Sequence, residues 1–135
     1  MTVHHETLSI DTKERETTID ITARVRAAVT RSKVKEGLCA LTVAHTTAAV
    51  FVNENADPDV RRDLLYLLEK LVPRDDEYRH AEGNAAAHIK AVLTGSDVTL
   101  SIRDGEIVLG TWQGIYFAEF DGPRSRSATV TVIGD

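Results

Sequence analysis

His80-Ala81-Glu82-Gly83-Asn84-Ala85-Ala86-Ala87-His88 gathers two imidazoles, a carboxylate and a carboxamide around one glycine, then runs into small residues. The small residues read as the first turns of a helix, and Asn84 is a good N-cap because its side-chain oxygen can accept from a first-turn N–H. His88 then lies one turn in, above Asn84 on the same face. A helix continued backwards would separate His80 from His88 by about 12 Å of rise. The two rings can meet only if residues 80–83 fold back, and Gly83 is the residue that permits the bend. A helix start with free N–H groups is also suited to anions.

His45-Thr46-Thr47 forms a polar triplet between two apolar runs, which places it in a loop at a sheet end. Together His45, His80 and His88, with Glu54 and Glu82 nearby as carboxylates, can supply the three-ligand open site that catalytic zinc uses. The same imidazoles can equally act as proton donors to a phosphorylated ligand. Their spacing matches no named zinc motif, so both chemistries stay open, and the divalent metal, Zn or Mg, stays an expectation. Asn53 and Glu54 end a strand, where no cap rule accounts for them. His4 and His5 lie in an amino-terminal strand and read as solvent-facing.

Two further groups bear on ligand binding. Arg124 and Arg126 alternate across Ser125, so in a strand they share a face and can grip phosphate or carboxylate. The competing reading pairs them with Glu119 and Asp121 at a strand end. Gly110-Thr111-Trp112-Gln113-Gly114 holds the only tryptophan between glycines, which suggests close backbone approach. Trp112 is a stacking surface for a flat heterocycle or a core plug, and the plug is the commoner outcome.

The elements that must position these groups follow from periodicity. Val3, Leu8 and Ile10 mark an edge-type strand over 3–11, followed by a charged turn at 13–16. From Ile19, Ile21, Val25, Ala28 and Val29 share a helical face that ends near Lys33, with Asp20 or Thr22 as cap. Residues 38–44 are nearly continuous apolar sequence, as in a strand buried on both faces, with Cys39 a small core residue. A strand over 48–52 precedes Asp57-Pro58-Asp59, an N-cap, first-position proline and first-turn carboxylate. Val60, Leu64, Leu67, Leu68 and Leu71 should bury one face of that helix, which Pro73 closes. The helix from Asn84 ends at Gly95 with Ile89, Val92 and Leu93 as its apolar face. The remainder reads as β: 98–102, the Asp104-Gly105 hairpin, 107–109, 115–120, a turn at 121–123, and 128–133. The result is one α+β domain over 1–135 with about seven or eight strands and three helices.

Composition narrows the function classes. The net charge of −5 and pI near 5.5 argue against a nucleic-acid binder with a broad basic face. No apolar run approaches the roughly 20 residues needed to cross a bilayer, so no membrane span is expected. The start Met1-Thr2-Val3-His4-His5-Glu6 lacks a signal-peptide pattern, and the single cysteine cannot form an internal disulfide, which points to the cytoplasm.

Four blocks in order carry a resemblance: His45-Thr46-Thr47-Ala48-Ala49; Asn53 through Val60; His80-x-Glu82-Gly83-Asn84 through Lys90; and Leu109-Gly110-Thr111-Trp112-Gln113-Gly114-Ile115 with Glu119 through Arg124. The sequence resembles the YjbQ family from about residue 8 onward, whose members are described as secondary thiamine-phosphate synthase type proteins. The resemblance implies mixed or antiparallel sheets in a sandwich-like arrangement, a homotrimer, and a pocket lined by His45, Glu54, His80, Glu82, Asn84 and His88. It also implies a transfer joining a pyrimidine-methyl diphosphate to a thiazole phosphate. In that reaction Arg124, Arg126 and the Asn84 helix start would neutralise the leaving diphosphate, and Trp112 would stack on the pyrimidine, with Thr46, Asn53 and Gln113 beside the ligand. Metal-dependent hydrolysis of a phosphorylated metabolite and a non-catalytic ligand-binding trimer are the alternatives.

Overall fold

In a computed structural model describing residues 1–135, eight strands and three helices build a two-sheet sandwich with helices over only one outer face. The strands are β1 (Thr2–Asp11), β2 (Thr17–Asp20), β3 (Gly37–Thr42), β4 (Ala48–Glu54), β5 (Asp97–Arg103), β6 (Glu106–Ile107), β7 (Gln113–Glu119) and β8 (Ser125–Gly134). The helices are α1 (Thr22–Ser32), α2 (Pro58–Leu71) and α3 (Ala85–Thr94). One sheet has the order β1-β8-β3-β5-β6 and the other β2-β7-β4, with every pair antiparallel. None of the helices is long and apolar enough to cross a membrane.

The main core lies between the sheets. Leu8, Ile10, Cys39, Leu41, Val130 and Val132 of the large sheet meet Val50, Ile115 and Phe117 of the small one, and Val25 and Val29 of α1 join them. A second cluster lies on the far face of the small sheet, where Ala49, Ala118 and Phe120 pack against Leu68 of α2 and Ala87 and Ala91 of α3. This explains why Ile115–Phe120 is apolar on both strand faces: one faces the sandwich and the other faces the helices.

Local chemistry places several boundaries. The Asp57 side chain accepts from the Asp59 N–H ahead of Pro58. The N-cap of α1 is Ile21, with no side-chain cap, instead of Asp20 or Thr22; Asp20, one residue earlier, accepts from the N–H and hydroxyl of Thr22, and Ile19 belongs to β2 opposite Phe117. Asp104 and Gly105 both take positive φ, 53° and 81°, as their tight hairpin turn requires.

Three expected faces turn out differently. In β3 only Cys39 and Leu41 point inward, and Leu38 is exposed, because no layer covers the outer face of the large sheet. In α2 only Leu68 is buried; Leu64 is half-buried, and Val60, Leu67 and Leu71 face out. In α3 the expected face of Ile89, Val92 and Leu93 points outward, with Val92 81% and Leu93 60% exposed. The buried side carries Ala85, Ala86, Ala87, Lys90 and Ala91 instead. Alanines let the helix lie close on Ala49 and Ala118, a distance at which larger side chains would overpack.

Candidate functional site

The site forms around α3. Gly83 takes a positive φ of 85°, the segment before the helix folds back, and the His80 ring meets the His88 ring edge-on at a centroid distance of 5.1 Å. Glu82 stays exposed, with its Oε2 3.9 Å from His80 Nε2. His88 lines two hollows at once. One is a cavity of ≈ 560 Å³ that also contains His45, Thr46, Val92, Ser96 and Asp97. The other is a recess of ≈ 310 Å³ lined by Tyr78, Arg79, His80, Ala85 and Ile89.

His45 is half-buried between β3 and β4, and its Nε2 accepts from the Ser127 N–H at 3.1 Å. An accepting Nε2 carries no proton, so the neutral ring holds its proton on Nδ1. Burial and the Arg126 charge hold the His45 pKa below its ordinary 6.5, against a smaller opposing effect of Glu119. His45 is therefore a neutral hydrogen-bond donor near pH 7, with the Nε2 lone pair already engaged.

The arginines do not form a clamp. Arg126 is buried, donating from Nε to Glu119 Oε1 at 2.9 Å and from Nη2 to Glu119 Oε2 and to Thr47 Oγ1 at 2.8 Å. Glu119 is 0% exposed and also accepts from the Thr12 hydroxyl and the Asp121 N–H. Burial pushes the Glu119 carboxyl up, but Arg126, the Asp121 amide and Thr12 outweigh it and hold it below the ordinary range. Arg124 is exposed and bound to Asp121 at 2.9 Å. Arg124 lies before β8, which starts at Ser125, so the two arginines do not share a strand face; the pairing partners, Glu119 and Asp121, are those of the competing reading, with Arg126 buried instead of solvated.

Asn84 occupies the N-cap position of α3 without capping it. Its Nδ2 donates to Asp121 Oδ2 at 2.8 Å, and its buried Oδ1 has no partner. Burial raises the Asp121 pKa, but the Asn84 and Arg124 hydrogen bonds carry it below its usual value. The long-range bond to Asp121 wins over the local cap, and the first amides of α3 are left without a side-chain acceptor.

Other expected members lie elsewhere. Asn53 and Glu54 line a separate cleft of ≈ 250 Å³ between β4 and α2 with Phe51, Val60, Arg61 and Leu67. There the Glu54 Oε2 accepts from the Ala56 N–H, and the Asn53 Oδ1 accepts from the Glu54 N–H. Glu54 therefore does not join the histidines within one chain. Trp112 is 64% exposed and is not a core plug. Gln113 Oε1 accepts from the Gly110 N–H, closing the turn that presents the indole. Gly114 passes so near Asn55 that an added Cβ would lie 2.4 Å from Asn55 Nδ2, the close approach expected of that glycine. No group of three His, Cys, Asp or Glu side chains is arranged to hold a metal ion. The Cys39 thiol is pushed up to about 11 by burial and is inert core.

With this geometry established, the relatives are informative. The profile of the family described as UPF0047 protein YjbQ-like matches residues 6–135. The chain belongs to the YjbQ family. A UPF0047 protein of Methanocaldococcus jannaschii is 50% identical over 93% of this chain and 91% of its own length. The UPF0047 protein YugU of Bacillus subtilis is 43% identical over 96% and 98%. Among solved structures, a YjbQ/UPF0047 protein of Clostridium acetobutylicum superposes with TM-score 0.93 at 49% identity, covering 95% of this chain and 99% of that one. A YbjQ-like protein of Sulfolobus solfataricus gives TM-score 0.95 at 34% identity, with 98% of each chain covered.

Within this YjbQ fold, sequence reasoning missed Arg79, Lys90, Ser96 and Asp97. Arg79 had one available signal: it is a lone cation after the acidic run Asp75-Asp76-Glu77, directly before His80. It makes no ion pair, unlike Arg124 and Arg126. Ser96 and Asp97 follow the helix-ending Gly95 and are brought to His45 only by the pairing of β5 with β3.

Proposed function

We propose that this YjbQ-family chain is an enzyme of phosphorylated small molecules, working in the paired hollows on either side of His88. The observation that carries the reading is the shared wall: His88 borders both the cavity of His45 and the recess of Arg79 and His80. The recess combines an unpaired guanidinium, two imidazoles and the uncapped start of α3, a set suited to a phosphoryl group. The rest of the substrate occupies the cavity, where His45 donates through Nδ1–H and Ser96, Thr46 and Asp97 offer polar contacts. His88, placed between the two, is the group positioned to carry a proton to or from the reacting atoms.

Transfer between a pyrimidine-methyl diphosphate and a thiazole phosphate is the first reaction to assay, and hydrolysis of a phosphorylated metabolite the second. A three-ligand zinc centre does not fit the residues of one chain, since the triad is not assembled and His45 Nε2 is engaged. Assembly as a homotrimer belongs to the same proposal, supported by the outward Leu67, Leu71, Val92 and Leu93, which form more exposed apolar helix surface than α2 and α3 need alone.

The test is titration of the protein with inorganic phosphate and with thiazole phosphate, alongside turnover with and without added divalent metal. Arg79→Ala should weaken phosphate binding by about 1.5–3 kcal/mol, the range of a charge-assisted hydrogen bond. Arg124→Ala should leave affinity unchanged, because its guanidinium already serves Asp121. Equal affinity in Arg79→Ala and the parent protein would overturn the phosphate assignment.

A further inference from the structure

Lys90 is 2% exposed on the buried side of α3, two positions after His88. A charge taken that far from water must be paired. Its Nζ donates to Glu16 Oε2 at 2.9 Å and to Glu69 Oε1 at 2.8 Å. One carboxylate would neutralise it, and an apolar side chain of similar volume would be about as stable. The second carboxylate has another attachment. Glu69 Oε2 accepts from the Arg74 N–H at 2.8 Å. Arg74 begins the segment that carries Tyr78, Arg79 and His80, and the Tyr78 hydroxyl donates back to the Pro73 carbonyl. Glu69 thus bridges the helix that bears His88 to the root of the loop that bears His80. The Lys90 hydrogen bond and the Arg74 amide both hold the Glu69 carboxyl below its usual range, so it is charged and able to accept from both donors.

We propose that Glu69 is a positioning residue for the candidate site, fixing the His80–Arg79 loop against His88 through Lys90 on one oxygen and the Arg74 amide on the other. This rests on the reading of the recess as a phosphoryl site, and it assigns Glu69 no contact with ligand. Glu16 also binds Lys90, at 2.9 and 3.3 Å, but makes no hydrogen bond to the loop, and that difference separates the two carboxylates.

Glu69→Gln and Glu16→Gln in the full chain test it. Each removes one negative charge, and each new amide oxygen can still accept from Lys90. The Glu69→Gln side chain has no second acceptor atom for the Arg74 N–H, whereas Glu16→Gln loses nothing equivalent. The readouts are the ring-to-ring NOE between His80 and His88 in ligand-free protein at fixed pH, and the affinity for inorganic phosphate. Glu69→Gln should abolish or strongly weaken the NOE and reduce phosphate affinity about five- to tenfold, as expected for a lost local hydrogen bond. Glu16→Gln should keep both, with a comparable loss in melting temperature. An intact NOE in Glu69→Gln, or an equal loss in both variants, overturns the positioning role. Loss of the NOE in Glu69→Gln alone with unchanged phosphate affinity upholds the positioning role and overturns the phosphate reading.

Discussion

Arg126→Met should be the most destabilising single change near the site. It removes a guanidinium that donates to both oxygens of Glu119 and to Thr47, and it leaves a carboxylate that is 0% exposed. Breaking one side of such a pair costs about 3–5 kcal/mol, because the surviving charge is buried without its counterion. For a domain of this length each kcal/mol lowers the melting temperature by roughly 3–5 °C, so a fall of roughly 10–20 °C is expected at pH 7. The penalty should depend on pH with a definite sign. In the parent protein the Glu119 carboxyl lies below its ordinary 4.5, so its contribution is present above 4.5 and is lost as pH falls through the folded value. Without Arg126, burial dominates and the folded value rises above 4.5, so protonation relieves the cost on acidification. The gap between variant and parent is therefore widest near neutrality and narrows towards pH 4. Arg126→Met combined with Glu119→Leu should recover most of the loss, since an apolar pair of similar volume is often neutral. Thermal melts monitored by circular dichroism across pH 4–7 measure all three proteins. A loss below about 1 kcal/mol at pH 7, the worth of a surface pair, would refute the reasoning.

Two other outcomes are expected. His45 should titrate below 6.5 in the native protein, so its contribution to stability is complete above 6.5 and declines as pH falls towards the folded value; a ring-proton NMR midpoint at or above 6.5 would contradict the lowered value. If the proposed trimer forms, Val92→Asp should dissociate it to its 14.8 kDa chain by light scattering, and a parent protein already at that mass would refute the proposal.

Where a structural feature is set by neighbours in sequence, it could be read in advance. Asp57-Pro58 starts α2 and Asp104-Gly105 turns the hairpin because the needed side-chain acceptor or positive φ belongs to those residues alone. Gly83 likewise announces the fold-back that brings His80 to His88. Periodicity showed which residues of α3 share a face, but not which face turns inward. The alanine side won because the small sheet lies close, and the lysine on that side is paired by carboxylates distant in sequence. Arg124 precedes β8 and stays exposed while Arg126 is buried, and the roles of both depend on Glu119 and Asp121 across a turn. Asn84 was legible as a cap until Asp121, 37 positions away, took its amide. Residue type groups Glu54 with the histidines and resemblance sets Trp112 beside their ligand, but Glu54 lies in another cleft and the indole is exposed.

The place of β8 in the large sheet has a consequence for how the chain reaches this fold. β8 lies between β1 and β3, in register with both along Thr129–Gly134, although both precede it by many residues in the sequence. Until the last strand inserts, β1 and β3 each present an unpaired edge, and β1 has no other strand to pair with. The protein therefore folds late and over long loops, a topology that slows folding, and its nascent form carries two strand edges open to other chains. A ribosome-bound chain lacking residues 125–134 should be a client for holding chaperones, and rapid dilution from denaturant at high concentration should lose material to edge-to-edge aggregation before β8 closes the sheet.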